Sequence, residues 1–535
     1  MPTEAKSIIG HGTWMDKVAY DVINREKKLG RSLQLVKVES GLGASGIPHI
    51  GNLSDCVRAF GIKMALEEQG VRSEHIAYTD DMDGLRKVPA GLQSSVDLER
   101  YIAHPVSRIP DPFGCHSSYG EHMSYLLIDA MDKIGIEYKH ESAAVNYKRN
   151  RFIEEIRTIL SRSEEIGAKI KEITGQEKYE EALPYFPICS NCGRIYTTKA
   201  TSYNPKTDSL QYVCEGAELR GRWLEGCKYQ GDAKLVEGEG KLSWKVEFAA
   251  RWRALDIRYE AHGKELTDSV KINDWVSDNI LGYPHPYHIK YELLLDKSGK
   301  KISKSEGGLV TPQTWFKYGT KESLILLMFK RIVGTRRISI EEIPKYVDEF
   351  DWIEDVYFGK IKVDSESKLI RMRGLYEYVK YMKPPKQPDQ HVPYRLLVEL
   401  ASVAPPERYK DYIINRLKSY RMIKESDPSI LSKIELARNW AKDVREETPA
   451  ISIDSNQKDA LKELINRIRP AENPDYIQNQ IFEVSKLHGI PPSEFFKLLY
   501  SILIGSDKGP RLGPYIFDLG VERAIEAIER TLQKT

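Results

Sequence analysis

The pattern of apolar positions near the start of the chain predicts a strand, a turn and a helix. An apolar run with β-branched members covers residues 33–38, and a glycine-rich segment covers residues 41–52. Apolar residues then recur at about helical spacing over residues 53–70, and a second strand is predicted at 75–79. Elements in this order form a βαβ unit, whose ligands lie at the carboxyl ends of its strands.

The glycine-rich turn carries the residues that a phosphate site would need. Glycine lets the backbone approach a ligand closely, and the N–H groups that open the next helix attract a phosphate. His49 and Asn52 would face that phosphate, and Gly46 and Gly51 belong to the same turn. The alternative is that this turn only connects a strand to a helix.

Three aspartates follow the second predicted strand. Asp80, Asp81 and Asp83 fall at the end of the sheet where ligands of βαβ units bind. Carboxylates at this point could bind a ribose or an ammonium group, but aspartate is also a common turn residue. Arg86 and Lys87 follow closely, so an internal ion pair is a third alternative.

A basic loop at residues 300–308 supplies a second candidate for phosphate chemistry. It reads Lys-Lys-Ile-Ser-Lys-Ser-Glu-Gly-Gly, so the ammonium groups of Lys301 and Lys304 lie beside the hydroxyl groups of Ser303 and Ser305. Ammonium groups neutralise the charge that builds up on a pyrophosphate leaving group, and hydroxyl groups add hydrogen bonds. The alternative is a solvated surface loop.

Together the two motifs resemble the signatures of class I aminoacyl-tRNA synthetases. His-Ile-Gly-Asn at 49–52 stands for the "HIGH" motif, and Lys-Ile-Ser-Lys-Ser at 301–305 stands for the "KMSKS" loop. The segment Asp-Asp-Met-Asp-Gly-Leu-Arg-Lys-Val-Pro at 80–89 resembles one that is characteristic of class I lysyl-tRNA synthetases. The resemblance implies an enzyme that activates L-lysine with ATP and Mg²⁺ and transfers it to tRNA(Lys).

The resemblance also implies roles for the residues of the two motifs. His49, Lys301 and Lys304 would be catalytic, because they hold the triphosphate and stabilise the departing pyrophosphate. The residues that would bind ATP are Gly46, His49, Gly51, Asn52, Lys301, Ser303, Lys304 and Ser305.

The same resemblance suggests walls for an amino-acid pocket. Gly41, Trp244 and Tyr291 would line it, because the long stem of lysine favours apolar or aromatic neighbours. Glu247 and Glu292 are candidate partners of the lysine ammonium group, and surface salt bridges are the alternative.

Two positions depart from the pattern of the resembling family. Gly43 and Ala44 stand where the family usually has Thr-Pro, and Glu265 and Leu266 stand where it usually has Asp-His. A class I synthetase for another amino acid is therefore an alternative. A non-catalytic zinc-ribbon RNA-binding paralogue is a second one, although such a protein would not need the intact basic loop.

Four potential metal ligands lie close together after residue 110. Asp111, Cys115, His116 and His122 offer one carboxylate, one thiol and two imidazoles, which suit a tetrahedral zinc ion. The spacing matches no widely shared zinc-finger pattern, and an ordinary turn is the alternative. The resembling family carries a similar Asp-Pro-Phe-Gly-Cys-His segment that is thought to hold zinc.

A second set of potential ligands is formed by cysteines. Cys189 and Cys192 form a Cys-x-x-Cys turn followed by glycine, and Cys214 and Cys227 are placed to complete a four-thiolate site. Such a zinc ion would be structural, because four protein ligands leave no open position. Four reduced thiols without metal are the alternative.

The predicted fold class is α/β, with a Rossmann-type catalytic domain that bears a zinc-containing insertion and an α-helical C-terminal anticodon-binding domain after it. The predicted boundaries are 1–144 and 244–310 for the two halves of the catalytic domain, 145–243 for the insertion with its zinc ribbon, 311–385 for a helical junction that contacts the tRNA stem, and 386–535 for the anticodon-binding domain. The anticodon role is implied by the resemblance alone.

A basic and aromatic stretch at residues 368–383 offers one further candidate. It could bind tRNA through phosphate contacts and stacking, or it could be a solvated helix face.

Composition narrows the class of protein. The chain has 535 residues, of which 41% are hydrophobic and 30% are charged, and this is typical of a globular protein of several domains. A net charge of only +2 means that a nucleic acid would have to bind local basic faces. The first residues contain no apolar signal core and no apolar run could cross a bilayer, so we expect a cytoplasmic protein with no membrane partner.

Overall fold

The chain divides into two compact units in the computed structural model, which describes residues 8–89, 92, 95–236, 238–292, 294–295, 299, 310–444, 452–505, 507 and 509–534. The first unit comprises Met1–Pro312, Ile325–Ile338 and Asp364–Pro384. The second unit comprises Gln313–Leu324, Ser339–Val363 and Pro385–Thr535.

The first half of the first unit forms one side of a parallel sheet. Its elements are α1 (Trp14–Lys28), β1 (Val36–Gly43), α2 (Ile50–Glu68), β2 (Ser73–Asp80), α3 (Tyr119–Ile134) and β3 (Lys139–Ser142). Strand β1 pairs in parallel with β2, from Val36 with Ser73 to Gly43 with Asp80. The predicted βαβ unit is confirmed, and Gly43 and Asp80 lie side by side at the carboxyl ends of its strands.

The insertion after β3 begins with helices and continues with short strands. The helices are α4 (Ala143–Lys148), α5 (Ile153–Ser161), α6 (Ser163–Thr174) and α7 (Lys178–Glu181). The strands are β4 (Tyr185–Pro187), β5 (Thr198–Asn204), β6 (Ser209–Cys214), β7 (Gly216–Leu219), β8 (Arg222–Glu225), β9 (Gln230–Lys234) and β10 (Gly240–Leu242). Strands β7 and β8 form a separate antiparallel hairpin.

The second half of the unit completes the parallel sheet. Its elements are α8 (Glu247–Leu255), β11 (Ile257–Gly263), α9 (Thr267–Trp275), β12 (Tyr287–Tyr291) and β13 (Leu294–Leu295). Among the described residues the strand order is β12-β11-β1-β2-β3, so the first half extends the sheet to one side of β1 and the second half extends it to the other. Ligands of such sheets bind where the strand order changes direction, which here is between β1 and β11.

The rest of the chain is mainly helical. It contains α10 (Pro312–Tyr318), α11 (Lys321–Phe329), β14 (Arg336–Arg337), α12 (Ile343–Tyr357), α13 (Glu366–Val379), α14 (Tyr394–Val403), α15 (Tyr409–Ser419), α16 (Pro428–Asp443), α17 (Ser455–Ile468), α18 (Pro474–Leu487), α19 (Pro492–Ile504), α20 (Leu512–Leu519) and α21 (Val521–Lys534). In the second unit, as far as the structure describes it, all regular structure is helical, as the sequence predicts. None of the described helices is long and apolar enough to span a membrane.

The tyrosines of the basic and aromatic stretch belong to the core of the first unit. Tyr376 and Tyr378 on α13 are fully buried, and the Tyr378 hydroxyl donates to Asp16 Oδ1 at 2.7 Å. The Tyr381 hydroxyl donates to the carbonyl oxygen of Ile134. These side chains therefore have packing roles, and the stacking part of the tRNA-binding hypothesis for this stretch is wrong.

Candidate active site

A cavity of about 540 Å³ opens at the carboxyl ends of β1, β2, β11 and β12, where the sheet topology places ligands. Six of the residues predicted to bind ATP or the amino acid line the wall of this cavity: Gly41, His49, Gly51, Asn52, Trp244 and Tyr291. Gly46 is not among the lining residues. Lys301, Ser303, Lys304 and Ser305 lie outside the described residues.

His49 begins helix α2 and caps it. Its ring Nδ1 accepts a hydrogen bond from the Gly51 N–H at 3.0 Å, and its own backbone N–H donates to Asn52 Oδ1 at 3.1 Å. A Cβ atom on Gly51 would lie 2.7 Å from His49 Cε1, so only glycine permits this contact. Because Nδ1 accepts, the proton of a neutral ring lies on Nε2, which makes that atom a donor suited to a phosphate oxygen.

Asp55 also lines the cavity, although it belongs to none of the motifs in the sequence. Its Oδ2 accepts the Gly41 N–H at 3.0 Å, whereas Oδ1 is buried without a hydrogen-bond partner in the described part of the chain. Asp55 is only 8% exposed, and burial raises the pKa of its carboxyl group to about 7. Asp55 follows Asn52 by three positions on α2, so the helical period could have placed it on the ligand side.

An arginine and a tyrosine lie beside Asp55. Arg58 is 2% exposed, and its guanidinium lies 5.0 Å from the centroid of the Tyr291 ring. Both residues line the cavity. A cation–π contact therefore joins Arg58 to Tyr291 at the wall of the cavity.

Lys241 is the centre of a buried ionic cluster beside the cavity. The residue is 1% exposed, and its Nζ lies 2.8 Å from a carboxylate oxygen of each of Asp80, Asp83 and Glu247. Although burial opposes it, the three carboxylates hold the pKa of Lys241 well above its usual range. Asp83 Oδ1 also accepts the indole N–H of Trp244 at 3.1 Å, so the cluster orients a wall of the cavity.

This cluster decides between the alternatives for the three aspartates. Asp80 and Asp83 form internal ion pairs with Lys241 as their common partner, and Asp83 also lies 3.7 Å from the guanidinium of Arg86, as the ion-pair alternative predicts. Asp81 accepts hydrogen bonds from the Ser142 hydroxyl at 2.6 Å and the Ala144 N–H at 2.7 Å, so it stabilises the start of α4.

The two glutamates predicted as partners of a substrate ammonium group are already paired. Glu247 binds Lys241 and also accepts the Tyr147 hydroxyl at 2.9 Å. Glu292 forms an ion pair with Lys264 at 2.7 Å, which is the salt-bridge alternative. The departures from the family pattern do lie at the cavity, because Gly43 and Leu266 are both lining residues.

The four cysteines of the insertion meet at one point. Cys189 Sγ lies 3.6 Å from Cys227 Sγ, and Cys192 Sγ lies 3.8 Å from Cys214 Sγ. All four sulfur atoms lie within 4.8 Å of one another. A tetrahedral ion with bonds of about 2.3 Å requires sulfur atoms about 3.8 Å apart, so this donor set fits a metal.

The second predicted ligand set also converges. Cys115 Sγ lies 3.2 Å from His116 Nδ1 and 3.3 Å from His122 Nδ1, and Asp111 Oδ1 lies 3.4 Å from His122 Nδ1. One carboxylate, one thiol and two imidazoles at these separations suit a four-coordinate ion.

Comparison with known proteins agrees with this arrangement. The sequence model of a family described as "tRNA synthetases class I (K)" matches residues 12–381, and the chain belongs to this family. A relative named "Lysine--tRNA ligase" from Cenarchaeum symbiosum (strain A) is 46% identical over 525 residues, which cover 98% of this chain and 99% of that protein. A protein of the same name from Rickettsia bellii (strain OSU 85-389) is 29% identical over 93% of each chain.

Among solved structures, a glutamate tRNA ligase from Elizabethkingia meningosepticum CCUG26117 aligns with 93% of this chain and 99% of its own, at 13% identity and a TM-score of 0.32.

Proposed function

We propose that the chain is a ligase that joins L-lysine to tRNA(Lys) at the expense of ATP. The single observation that carries this proposal is a cavity that combines a phosphate-binding helix start, at His49 and Gly51, with a buried and incompletely hydrogen-bonded carboxylate, at Asp55. The first feature suits ATP and the second suits an ammonium group. Family membership and 46% identity to a lysine--tRNA ligase support the same function.

In the first step the lysine carboxylate attacks the α-phosphorus of ATP in line, and pyrophosphate leaves. Lysyl-adenylate is the other product, so no covalent protein nucleophile is needed, and the protein contributes position and charge. The His49 Nε2–H and the N-terminus of α2 would donate to phosphate oxygens. Lys301 and Lys304 are proposed to stabilise the leaving group, with Ser303 and Ser305 beside them, and magnesium accompanies ATP.

In the second step a hydroxyl group of the 3′-terminal adenosine of tRNA attacks the carbonyl carbon of lysyl-adenylate, and AMP leaves. The reacting groups must meet inside the cavity, because the adenylate is held there.

Asp55 is the residue that we assign to an ammonium group of lysine. Its Oδ1 is buried at the cavity wall, and a bound ammonium group would supply the missing hydrogen bond and stabilise the charged carboxylate. Trp244 and Tyr291 would flank the aliphatic stem of lysine. Asp80, Asp83, Glu247 and Glu292 are less suited, because the carboxylate of each already forms an ion pair with a lysine at 2.7–2.8 Å.

The remaining parts of the chain are proposed to hold tRNA. The helical region 386–535 would bind the anticodon, and 311–385 would contact the stem. This assignment rests on the family to which the chain belongs, and an enzyme of this kind works in the cytoplasm with the rest of translation.

Aminoacylation of total tRNA with each radiolabelled amino acid in turn tests the function. With ATP and magnesium we expect labelled lysine, and no other amino acid, to become attached to tRNA. Charging with a different amino acid would favour the class I synthetase for another amino acid, the alternative to which the departures at Gly43 and Leu266 point. No charging at all would favour the non-catalytic RNA-binding paralogue.

We also infer that both ligand sets hold structural zinc, since each supplies four protein donors. Metal analysis of the purified chain should find two zinc ions per chain. Cys192→Ser and Cys115→Ser should each lower the content to one and reduce resistance to thermal unfolding, because a structural zinc site contributes directly to folding.

Cys56→Ser is the matched control for the metal analysis. Cys56 is a buried thiol on α2 that belongs to neither ligand set, so this variant should retain two ions. A wild-type chain that contains no zinc, or a Cys56→Ser chain that loses zinc, would contradict the inference.

A further inference from the structure

The chain enters the main part of the second unit through an irregular segment that buried charges hold in place. Residues 385–393 are all described, and they form neither helix nor strand between α13 and α14. They directly follow the part of the first unit that ends at Pro384. Val392 is 1% exposed, so this segment is packed into the second unit. We call residues 385–393 the strap.

Helix α12 holds the strap through side-chain carboxylates. Glu354 Oε2 accepts the backbone N–H of Asp389 at 3.0 Å, and Glu354 is fully buried. Asp348 Oδ1 accepts the N–H of Tyr394, the residue after the strap, at 2.8 Å. A carboxylate that binds a backbone N–H in this way replaces the partner that a helix or sheet supplies elsewhere. The position of the strap therefore depends on the charges beside α12.

His391 of the strap lies among three carboxylates of α12. Its Nε2 lies 2.7 Å from Glu354 Oε2 and 3.9 Å from Asp351 Oδ1, and its Nδ1 lies 3.1 Å from Asp355 Oδ1. The His391 side chain is only 12% exposed. Because an ionised carboxylate can only accept hydrogen bonds, a carboxylate beside each ring nitrogen favours the doubly protonated, cationic ring.

Two lysines bind the same carboxylates from other directions. Lys433 of α16 is 4% exposed and lies 2.6 Å from Asp351 Oδ2, and Lys360 lies 3.0 Å from Asp355 Oδ1. The protonated ring of His391 adds a further positive charge to this cluster. Histidine is the side chain whose ordinary pKa lies closest to neutrality, so this charge is the one that a change near neutral pH removes.

The direction of the pH effect follows from these contacts. Although burial and Lys433 lower it, the three carboxylates raise the pKa of His391 above its ordinary value of 6.5. Protonated His391 therefore stabilises the docked strap below about pH 6.5, and this stabilisation is lost as the pH rises through the raised pKa. Burial also raises the pKa of Asp348 to about 7, so ionisation of Asp348 adds negative charge over the same range.

We propose that the strap is a pH-sensitive clasp, which is docked on α12 while His391 is protonated and opens as the pH rises above neutrality. Opening would lengthen the irregular connection through which the chain enters the second unit. The clasp is independent of the proposed function, because none of its residues lines the cavity at the ends of the strands.

Hydrogen–deuterium exchange of the complete protein tests the clasp. Mass spectrometry of peptides that cover residues 385–394 gives protection factors, corrected at each pH for the exchange rate of an unfolded chain. From pH 6 to pH 8.5 the protection of the Asp389 and Tyr394 amides should fall by about tenfold, the worth of a hydrogen bond to a charged group. Protection in α17, which belongs to the same unit and carries none of these residues, should change by less than about twofold.

Two variants and a control assign the effect to the ring. His391→Gln removes the titratable group and should give a weakly protected strap at both pH values. Glu354→Gln keeps an oxygen for the Asp389 N–H but removes the charge that favours the protonated ring, so its pH profile should be flatter. His488→Gln should keep the wild-type profile, because His488 belongs to the same unit and its ring contacts the Asn456 side chain at 3.4 Å.

Three results would overturn the proposal. The first is a wild-type strap with the same protection at both pH values. The second is a His391→Gln strap that keeps the wild-type fall, which would assign the titration to Asp348. The third is an equal fall in α17, which would show that the whole unit and not the strap responds to pH. The wild-type profile decides the first and the third even if a variant fails to fold.

Discussion

Asp55→Asn is expected to raise the KM for lysine in tRNA charging by about 100-fold, since removing one member of a buried charged pair costs about 2–5 kcal/mol. Asp55 Oδ2 accepts a hydrogen bond from the Gly41 N–H at 3.0 Å, and the side-chain oxygen of asparagine can accept it equally. The cavity wall around Gly41 should therefore keep its structure. The KM for ATP should stay within about twofold of the wild type, because Asp55 contributes no phosphate contact. Steady-state charging with each substrate varied in turn measures both constants.

The pH dependence of the KM for lysine is a second test of the role of Asp55. Burial raises the pKa of Asp55 to about 7 in the free chain, so the carboxyl is increasingly protonated as the pH falls below that value. The KM for lysine of the wild type should therefore rise from pH 8 to pH 6, whereas Asp55→Asn should show a flat profile.

Glu292→Gln is the matched control for Asp55→Asn. Glu292 also lines the cavity, but its carboxylate already pairs with Lys264 at 2.7 Å. Its replacement should change the KM for lysine by less than about threefold, in line with the small worth of a partly exposed ion pair. A larger effect in Glu292→Gln than in Asp55→Asn would move the ammonium site to Glu292.

Lys241→Met is expected to lower the free energy of unfolding of the first unit by about 3–5 kcal/mol, the cost of leaving buried charges without their partner. The change removes one ammonium group and leaves the largely buried carboxylates of Asp80, Asp83 and Glu247 close together. Chemical denaturation followed by tryptophan fluorescence measures the difference. Trp244 should report on it directly, since its indole N–H donates to Asp83.

Two further variants make this result specific. Lys245→Met replaces a half-buried lysine whose described polar contact is the Ser269 hydroxyl at 3.3 Å, and it should cost about 1 kcal/mol or less. Adding Asp83→Asn to Lys241→Met should restore part of the lost stability, because one of the unpaired charges is then removed. If the two lysine variants lose the same stability, the ionic cluster is not the cause.

The parts of the site that could be predicted from the sequence are those with a local signal. The apolar run at 33–38, the glycine-rich turn and the helix after it are adjacent in the chain, so period and turn chemistry were enough to predict them. The Cys-x-x-Cys pair was local as well, and the structure brings Cys214 and Cys227 to it.

The parts that could not be predicted depend on contacts between distant segments. Lys241 lies 161 residues from Asp80 and 158 from Asp83, in a three-residue strand that reads as an ordinary polar connection. Without that contact Glu247 looked available to a substrate. Tyr376 and Tyr378 are misleading for the same reason, because the stretch around them also carries basic residues and only the tertiary packing buries the two rings.

The position of β1 in the middle of the sheet affects how the chain folds while it is being synthesised. Strands β2 and β3 are made soon after β1, but β11 follows it by about 200 residues, so at 5–20 residues per second one edge of β1 waits on the order of ten seconds or more for its partner. An unpaired central edge is prone to wrong pairing during that time. The nascent chain therefore cannot form the cavity until β11 and β12 have emerged, because residues of both strands line it.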